Sequence, residues 1–320
     1  MGNNQKKILF IVGPTAVGKS SLAVDLAKKF RGEIISCDSR QIYRGFDLGT
    51  DKPPASIRQA IPHHLIDVVD PEETFSAADF ARLALEKINE ILDRGNLPLI
   101  VGGTGLYHRA LVQGLFSGPG RDENLRDRLK EEAKNKGLEV LYNRLRQVDP
   151  SYAEKISPAD AIRIIRALEI FYLTGQPISA HFARTASPLR DKGFILFQIG
   201  LKLDRKLLYQ RIDERVRRMF AEGLTEETKQ LLARGISEQA TPFKGLGYSQ
   251  VLRYLKGEIS LEEAIRLTQI ETRHYAKRQL TWFKKTEGIT WFEADDREKI
   301  ENKVQEYLLD YKWKRPFSSI

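Results

Sequence analysis

Along the first third of the chain, short runs of apolar residues alternate with stretches in which apolar residues recur at the spacing of a helix. The spacing predicts buried strands and amphipathic helices, namely strands at 8–12, 33–37, 65–69 and 97–101 and helices at 19–30 and 77–94. Ser76 precedes the second helix with Asp79 three residues later, and Gly95 follows its end, so both ends carry typical capping residues. Such alternation predicts a parallel sheet with helices on both faces.

The pattern changes after residue 118. Residues 119–190 have helical spacing and many charges but no strand-like run, whereas Phe194–Gly200 is again apolar. We therefore expect residues 1–118 to form the first part of an α/β core and residues 119–190 to form an all-helical insertion. We expect residues 191–320 to return to the core, with a further helical segment and a C-terminal tail.

A glycine-rich loop links the first predicted strand to the first predicted helix. Glycines let the backbone curl so that N–H groups and the helix N-terminus face an anion. Lys19 can reach terminal phosphate oxygens, and the Ser20 hydroxyl can hold Mg²⁺. We predict a phosphate or diphosphate site with Ser20 as metal ligand, formed by Gly13, Pro14, Thr15, Ala16, Val17, Gly18, Lys19 and Ser20.

This loop identifies an anion but not a reaction. ATP-hydrolysing proteins with such a loop usually carry an Asp at the tip of a second strand, where it helps to hold the metal. Here the strand at 97–101 leads into Gly102–Gly105, and Leu65–Asp70 is only an imperfect substitute. A small-molecule kinase is therefore less favoured but stays open.

Polar or glycine-rich segments follow three predicted strands, at Gly13–Ser20, Cys37–Ser39 and Gly102–Gly105. Because ligands of parallel sheets collect at the carboxyl ends of strands, these segments predict one site. Within it, Asp38 can be a metal ligand, a helix cap or a general base. Ser39 and Gln41 offer the donors and acceptors that can recognise the edge of a base.

The charge of the chain is unevenly distributed. The net charge is +9, of which residues 1–120 contribute +1 and residues 121–320 contribute +8. Nucleic acid is a reasonable partner for the basic part, although scattered lysines would give the same count. No apolar run approaches the roughly 20 residues that span a bilayer, and Cys37 is the single cysteine. We expect a cytoplasmic protein without a membrane partner.

Five motifs taken together resemble the tRNA dimethylallyltransferases. They are G-P-T-A-x-G-K-S at 13–20, D-S-x-Q-x-Y-R-G at 38–45, G-G-T-G-L-Y at 102–107, R-A-L-E at 166–169 and T-R-x-Y-A-K-R-Q-x-T-W-F at 272–283. They occur in the family's order, and the resemblance runs from Ile8 to about Trp291. It covers most of the chain, and the combination is highly specific.

The resemblance implies transfer of a dimethylallyl group from dimethylallyl diphosphate to the N6 amine of adenosine 37, immediately 3′ of the tRNA anticodon. The phosphate loop would then bind diphosphate instead of ATP, with Mg²⁺ as cofactor. Asp38 matches the family's general base, and Thr104 would orient the amine or a diphosphate oxygen. Lys19 and Arg215 would stabilise the departing diphosphate. An enzyme that prenylates free adenine nucleotides is the alternative within this chemistry.

The resemblance also implies that the helical insertion 119–190 binds the anticodon stem-loop of tRNA and that the helical segment within residues 191–320 binds tRNA and diphosphate. We expect the protein to act as a monomer. The family usually has Gln where this chain has Ile162. The matching positions here are Asp38, Ser39, Arg40, Gln41, Thr104, Arg126, Ile162, Arg163, Arg166, Gly247, Tyr248, Arg273, Lys277, Arg278 and Gln279.

Overall fold

The computed structural model describes residues 6–115, 118–183 and 187–309. The chain divides into two compact units, one formed by Met1–Leu111 with Lys192–Ile320 and the other by Val112–Asp191. The predicted tail beyond residue 309 lies outside the described residues. No helix of the described part is both long enough and apolar enough to cross a bilayer.

The first unit contains a parallel sheet. Its described strands are β1 (Lys7–Val12), β2 (Gly32–Ser36), β3 (His63–His64), β4 (Leu97–Gly102), β5 (Ile195–Lys202) and β6 (Ile289–Glu293). They pair in the order β3-β2-β4-β1-β5-β6, and every neighbouring pair is parallel. All six residues of β4 are buried, as expected for a strand covered on both faces.

Helices account for most of the remaining described residues. In chain order they are α1 (Lys19–Phe30), α2 (Ala55–Ala60), α3 (Ala77–Asp93), α4 (Gly105–Val112), α5 (Glu123–Lys136), α6 (Leu138–Val148), α7 (Pro150–Ala153), α8 (Ala161–Thr174), α9 (Ile178–Ala183), α10 (Arg205–Ala221), α11 (Leu224–Ala233), α12 (Tyr248–Leu255), α13 (Leu261–Lys284) and α14 (Arg297–Leu309). A short 3-10 helix spans Thr241–Lys244. The predicted fold class, a phosphate-loop parallel sheet flanked by helices with an all-helical insertion, is confirmed.

Helix α3 begins as its sequence predicts. The Ser76 hydroxyl accepts a hydrogen bond from the Asp79 N–H at 3.2 Å, and the Asp79 carboxylate accepts one from the Ser76 N–H at 3.0 Å. This reciprocal pair satisfies two backbone donors that the helix cannot satisfy internally. The apolar face of α3 places Phe80, Ala84 and Ile88 in the core.

The predicted strand at 65–69 is wrong. Leu65 and Asp67 have φ angles of 59° and 56°, in the left-handed region that interrupts an extended strand. The paired residues are instead His63 and His64, just before this segment, and Val69 forms only an isolated bridge with Tyr43. Leu65 and Val69 are buried, as their apolar character predicts, but the backbone turns between them.

The second unit has its own apolar core, built by Leu141, Leu145, Ile164 and Leu168. A carboxylate, Glu169, is fully buried beside that core.

Candidate active site

The loop between β1 and α1 depends on two glycines. Gly13 has a φ of 145°, and a Cβ atom there would lie 2.7 Å from the Leu201 carbonyl oxygen. Gly18, with a φ of 100°, is the N-cap residue of α1. Only glycine adopts these conformations without strain. The loop therefore curls back over the N-terminus of α1, where Ser20 is exposed.

Lys19 lies inside this curl and is partly buried. Its Nζ donates a hydrogen bond to the Pro14 carbonyl oxygen at 2.7 Å. Burial, and next the nearby Arg215, lower the pKa of Lys19 to about 8, although Asp38 and Asp51 act in the opposite direction. Lys19 is thus a cation that an incoming anion would stabilise.

Two helices hold the phosphate loop at Thr15. Nη1 of Arg215 on α10 donates to the Thr15 hydroxyl at 2.7 Å. The Thr15 N–H donates to Oε1 of Gln279 on α13 at 2.8 Å. The loop is therefore fixed from outside as well as by its own glycines.

The turn after β2 is joined to the turn after β4. The Thr104 hydroxyl accepts a hydrogen bond from the Ser39 N–H at 3.0 Å, and Oδ1 of Asp38 accepts one from the Arg40 N–H at 2.8 Å. A Cβ atom on Gly102 would lie 2.1 Å from the Cys37 carbonyl oxygen, so glycine is needed for this approach. The predicted convergence of the three strand ends is confirmed.

These strand ends open into a cavity of about 380 Å³. Two carboxylates line the cavity, those of Asp38 and Asp51. They are outnumbered by five cationic side chains, those of Lys19, Arg40, Arg215, Lys244 and Arg278. Such an excess of positive charge suits a ligand that carries several negative charges.

The donor set fits a magnesium ion that is held partly by its substrate. The described residues contain no group of three or more His, Cys, Asp or Glu that could bind a metal. Mg²⁺ often keeps several waters and is bound through one or two protein ligands and the phosphates of a substrate. The exposed Ser20 hydroxyl on the cavity wall can supply such a ligand.

Gln279 joins two segments of the site. Its side chain is 6% exposed, with Oε1 occupied by Thr15 and Nε2 donating to the Gly103 carbonyl oxygen at 2.9 Å. Gln279 thus joins the phosphate loop to the end of β4, and because it also lines the cavity, an RNA contact stays a prediction.

Gln41 is likewise occupied by the protein itself. Its Oε1 accepts from the Ser36 hydroxyl at 2.8 Å, and its Nε2 donates to the carbonyl oxygens of Thr50 and Asp51 at 3.2 and 3.1 Å. The amide thus holds the loop that carries Asp51, and Gln41 also lines the cavity, so recognition of a base edge by Gln41 stays a prediction.

Tyr248 is also a structural residue. Its buried ring packs against Phe46, and its hydroxyl donates to the Glu227 carboxylate and accepts from the Gly49 N–H at 3.2 Å. Tyr248 also lines the cavity, so a tRNA contact stays a prediction. The N–H of Gly247 donates to the Gln250 side chain at the start of α12.

The remaining predicted contacts of the first unit lie on α13. Arg273 is paired with Asp213, whereas Lys277 and Arg278 are exposed. The Arg278 guanidinium lies 5.8 Å from the centroid of the Tyr275 ring. Arg278 is therefore the residue of this group that combines exposure with a place on the cavity wall.

In the second unit, Arg126 and Arg166 both contact the buried Glu169, at 2.9 and 2.6 Å. Burial acts to raise the pKa of Glu169, but hydrogen bonds from the two arginines outweigh it and hold the pKa low. Both arginines thus stabilise this unit. Arg163 is paired with Asp160, and Ile162 is 84% exposed.

Asp51 is a charged residue of the cavity wall that the sequence does not single out. Asp51 stands in a polar turn before two prolines, a pattern typical of any surface loop. Its place beside Arg215 follows only from how the turn packs.

A phosphate loop before α1, together with a cationic cavity at the carboxyl edge of a parallel sheet, defines a phosphate-loop α/β protein. Comparison with known proteins narrows this class. The IPP transferase family model matches residues 41–286. The chain is 47% identical to tRNA dimethylallyltransferase 2 of Geotalea uraniireducens and to the tRNA dimethylallyltransferase of Geobacter metallireducens. These alignments cover 91% and 90% of this chain and 94% and 92% of the relatives.

Solved structures agree with this result. The full-length tRNA isopentenylpyrophosphate transferase of Bacillus halodurans superposes with a TM-score of 0.69 at 43% identity, covering 95% of this chain and 96% of that one. A eukaryotic dimethylallyltransferase acting on tRNA superposes with a TM-score of 0.78 at 32% identity, covering 95% of this chain and 78% of that one. The chain belongs to the tRNA dimethylallyltransferase family, and the predicted resemblance is confirmed.

Proposed function

We propose that this protein transfers the dimethylallyl group from dimethylallyl diphosphate to N6 of adenosine 37 in tRNA, releasing diphosphate. The names of its relatives support the reaction, and the meeting of Lys19, Arg215 and Asp38 in one cavity carries the assignment. A tRNA substrate implies action in the cytoplasm. We expect a monomer to suffice, since the lining residues all belong to one unit of one chain.

The donor half of the reaction would take place at the phosphate loop. As the N6–C1 bond forms, the bond between C1 and the diphosphate oxygen breaks, and diphosphate leaves with the electron pair. Lys19, Arg215 and the N-terminus of α1 would bind the oxygens on which negative charge grows. Positioned cations and N–H groups of this kind lower the barrier because they need no reorganisation.

The acceptor half would depend on Asp38. An adenine amine is a poor nucleophile because its lone pair is delocalised, so removing its proton during attack makes the attack easier. Oδ1 of Asp38 is oriented by the Arg40 N–H, which leaves the second carboxylate oxygen for the amine proton. Thr104 would act by holding Ser39 and the turn after β2.

Ser20 would hold Mg²⁺ together with the diphosphate oxygens. When bound, the ion neutralises charge that develops on the leaving group. On the tRNA side, exposed Lys277 and Arg278 offer phosphate contacts, and Arg278 also reaches the cavity. Arg163 and Ile162 are the exposed candidates in the helical unit.

The test is incubation with unmodified tRNA, Mg²⁺ and radiolabelled dimethylallyl diphosphate, with AMP as a competing acceptor. We expect label at the adenosine 3′ of the anticodon. Label in AMP alone would make the protein a nucleotide prenyltransferase, and ATP turnover without any transfer would make it a kinase.

A further inference from the structure

The loop 47–52 places a carboxylate among the cations of the cavity. Oδ2 of Asp51 lies 3.2 Å from Nη1 of Arg215, and its Oδ1 lies 3.4 Å from Nη2 of Arg218. The Arg215 side chain is only 19% exposed, and the same Nη1 donates to the Thr15 hydroxyl. One guanidinium nitrogen is thus shared between the phosphate loop and an acidic side chain of the protein.

The backbone that carries this carboxylate is held firmly. Gln41 donates to the Asp51 carbonyl oxygen at 3.1 Å. The next residue, Lys52, has a side chain only 2% exposed, and its Nζ donates to the Tyr43 carbonyl oxygen at 2.7 Å and pairs with Asp67. These contacts hold the Asp51 backbone beside the cavity, so an incoming anion binds close to its carboxylate.

We propose that Asp51 is a built-in counter-anion of the diphosphate site, which pairs with Arg215 before diphosphate binds and repels it afterwards. The inference rests on the proposed function, because it requires that diphosphate occupy the phosphate loop. Fixed like charges at short range oppose binding in proportion to the charge of the ligand. Asp51 therefore weakens binding of diphosphate to the site.

The repulsion is larger for the product than for the substrate. Free diphosphate has one more ionisable oxygen than its dimethylallyl ester, so it carries more negative charge once the C1–O bond has broken. Asp51 would therefore accelerate dissociation of the diphosphate product more than dissociation of unreacted dimethylallyl diphosphate. It touches no reacting atom in this scheme and acts through Arg215 and through the field of its charge.

The variant Asp51→Asn tests this directly. Asp51 has a φ of 53°, and asparagine tolerates this left-handed conformation, so the substitution removes the charge with little strain. We would titrate the full chain with inorganic diphosphate and Mg²⁺ by calorimetry at low ionic strength. The expected result is binding about fivefold tighter, which corresponds to about 1 kcal/mol of relieved repulsion. The gain should shrink in high salt.

Asp127→Asn is the matched control. Asp127 pairs with Lys130 at 2.7 Å in the second unit and is absent from the cavity lining, so the variant makes the same charge change elsewhere. Its diphosphate affinity should equal that of the wild type. Asp51→Gly also accepts a positive φ, so it provides a second variant without the carboxylate if Asp51→Asn folds poorly.

Unchanged or weaker binding in both Asp51 variants would overturn the inference and leave the proposed function intact. Weaker binding together with a higher Mg²⁺ requirement would instead make Asp51 a metal ligand, which also overturns it. If the wild type itself does not bind inorganic diphosphate, the proposed diphosphate site is contradicted, and the inference about Asp51 falls with it.

Discussion

Gln279 and Thr15 are joined by a hydrogen bond of 2.8 Å across 264 positions of sequence. The amide of Gln279 also reaches the Gly103 carbonyl oxygen, and a Cβ atom on Gly103 would lie 2.0 Å from its Nε2. One side chain of α13 thus holds the phosphate loop and the end of β4 in register. The position of the proposed diphosphate site depends on a helix far along the chain.

Replacing this amide should loosen the loop. In Gln279→Leu the Thr15 N–H and the Gly103 carbonyl lose their partner, and we expect the free energy of unfolding to fall by about 1–3 kcal/mol. Affinity for diphosphate should fall with it, as measured by urea denaturation and calorimetry. Thr281→Val, on the exposed face of the same helix, should change stability by less than about 0.5 kcal/mol. Equal effects of both variants would contradict this account.

The role of Asp38 as proton acceptor can be tested separately from substrate binding. Asp38→Asn retains an oxygen for the Arg40 N–H but cannot take a proton from the amine, so we expect transfer to slow by about 10²- to 10⁴-fold. Single-turnover transfer of label measures the rate, and filter binding should show that tRNA affinity is retained. Normal turnover in this variant would remove Asp38 as the base.

Lys19 should give diphosphate binding a distinct pH dependence. Burial, followed by Arg215, lowers its pKa to about 8, so its charge is largely present at pH 7 and is lost as pH rises through 8. The ratio of wild-type affinity to that of Lys19→Met should therefore be largest near pH 7 and decline above pH 8. Because diphosphate titrates in the same way with both proteins, taking the ratio removes the contribution of the ligand to the pH dependence. A ratio that stays constant to pH 10 would show that the cation is not in contact with the ligand.

The same pKa makes the stability of the protein depend on pH in the opposite direction to diphosphate binding. Because the pKa of Lys19 is lower in the folded protein than its ordinary value of 10.5, the unfolded chain binds more protons between about pH 8 and 10.5. The free energy of unfolding should rise across that range relative to Lys19→Met. Denaturation curves at pH 7.5 and 10 provide the comparison, and a fall would contradict the assigned environment.

Arg278 should contribute to tRNA binding through a phosphate. Arg278→Ala is expected to weaken tRNA binding and to reduce the slope of log affinity against log salt by about 1. Lys299→Ala, an equally exposed cation on α14, serves as the control and should leave the slope unchanged. An unaltered slope for Arg278→Ala would show that Arg278 contacts no tRNA phosphate and only packs against Tyr275.

The sequence by itself determined the features that depend on neighbouring residues. The strands at 8–12 and 97–101, the capped helix after Ser76 and the phosphate loop follow from apolar spacing, capping residues and glycine conformations over short ranges. The family also followed from its motifs, since five of them occur together in one order. Even so, the segment 65–69 shows that apolar spacing alone does not fix the backbone direction, since Leu65 and Asp67 adopt left-handed conformations.

Only the tertiary structure decided which polar side chains are available to a ligand. Gln279, Gln41 and Tyr248 stand in motifs that predict RNA contacts, and each one also bonds a backbone group of another segment. Asp51 carries no local signal, yet it pairs with Arg215. A buried polar group has to find a hydrogen-bond partner, and which partner it finds is set by packing between elements far apart in the chain.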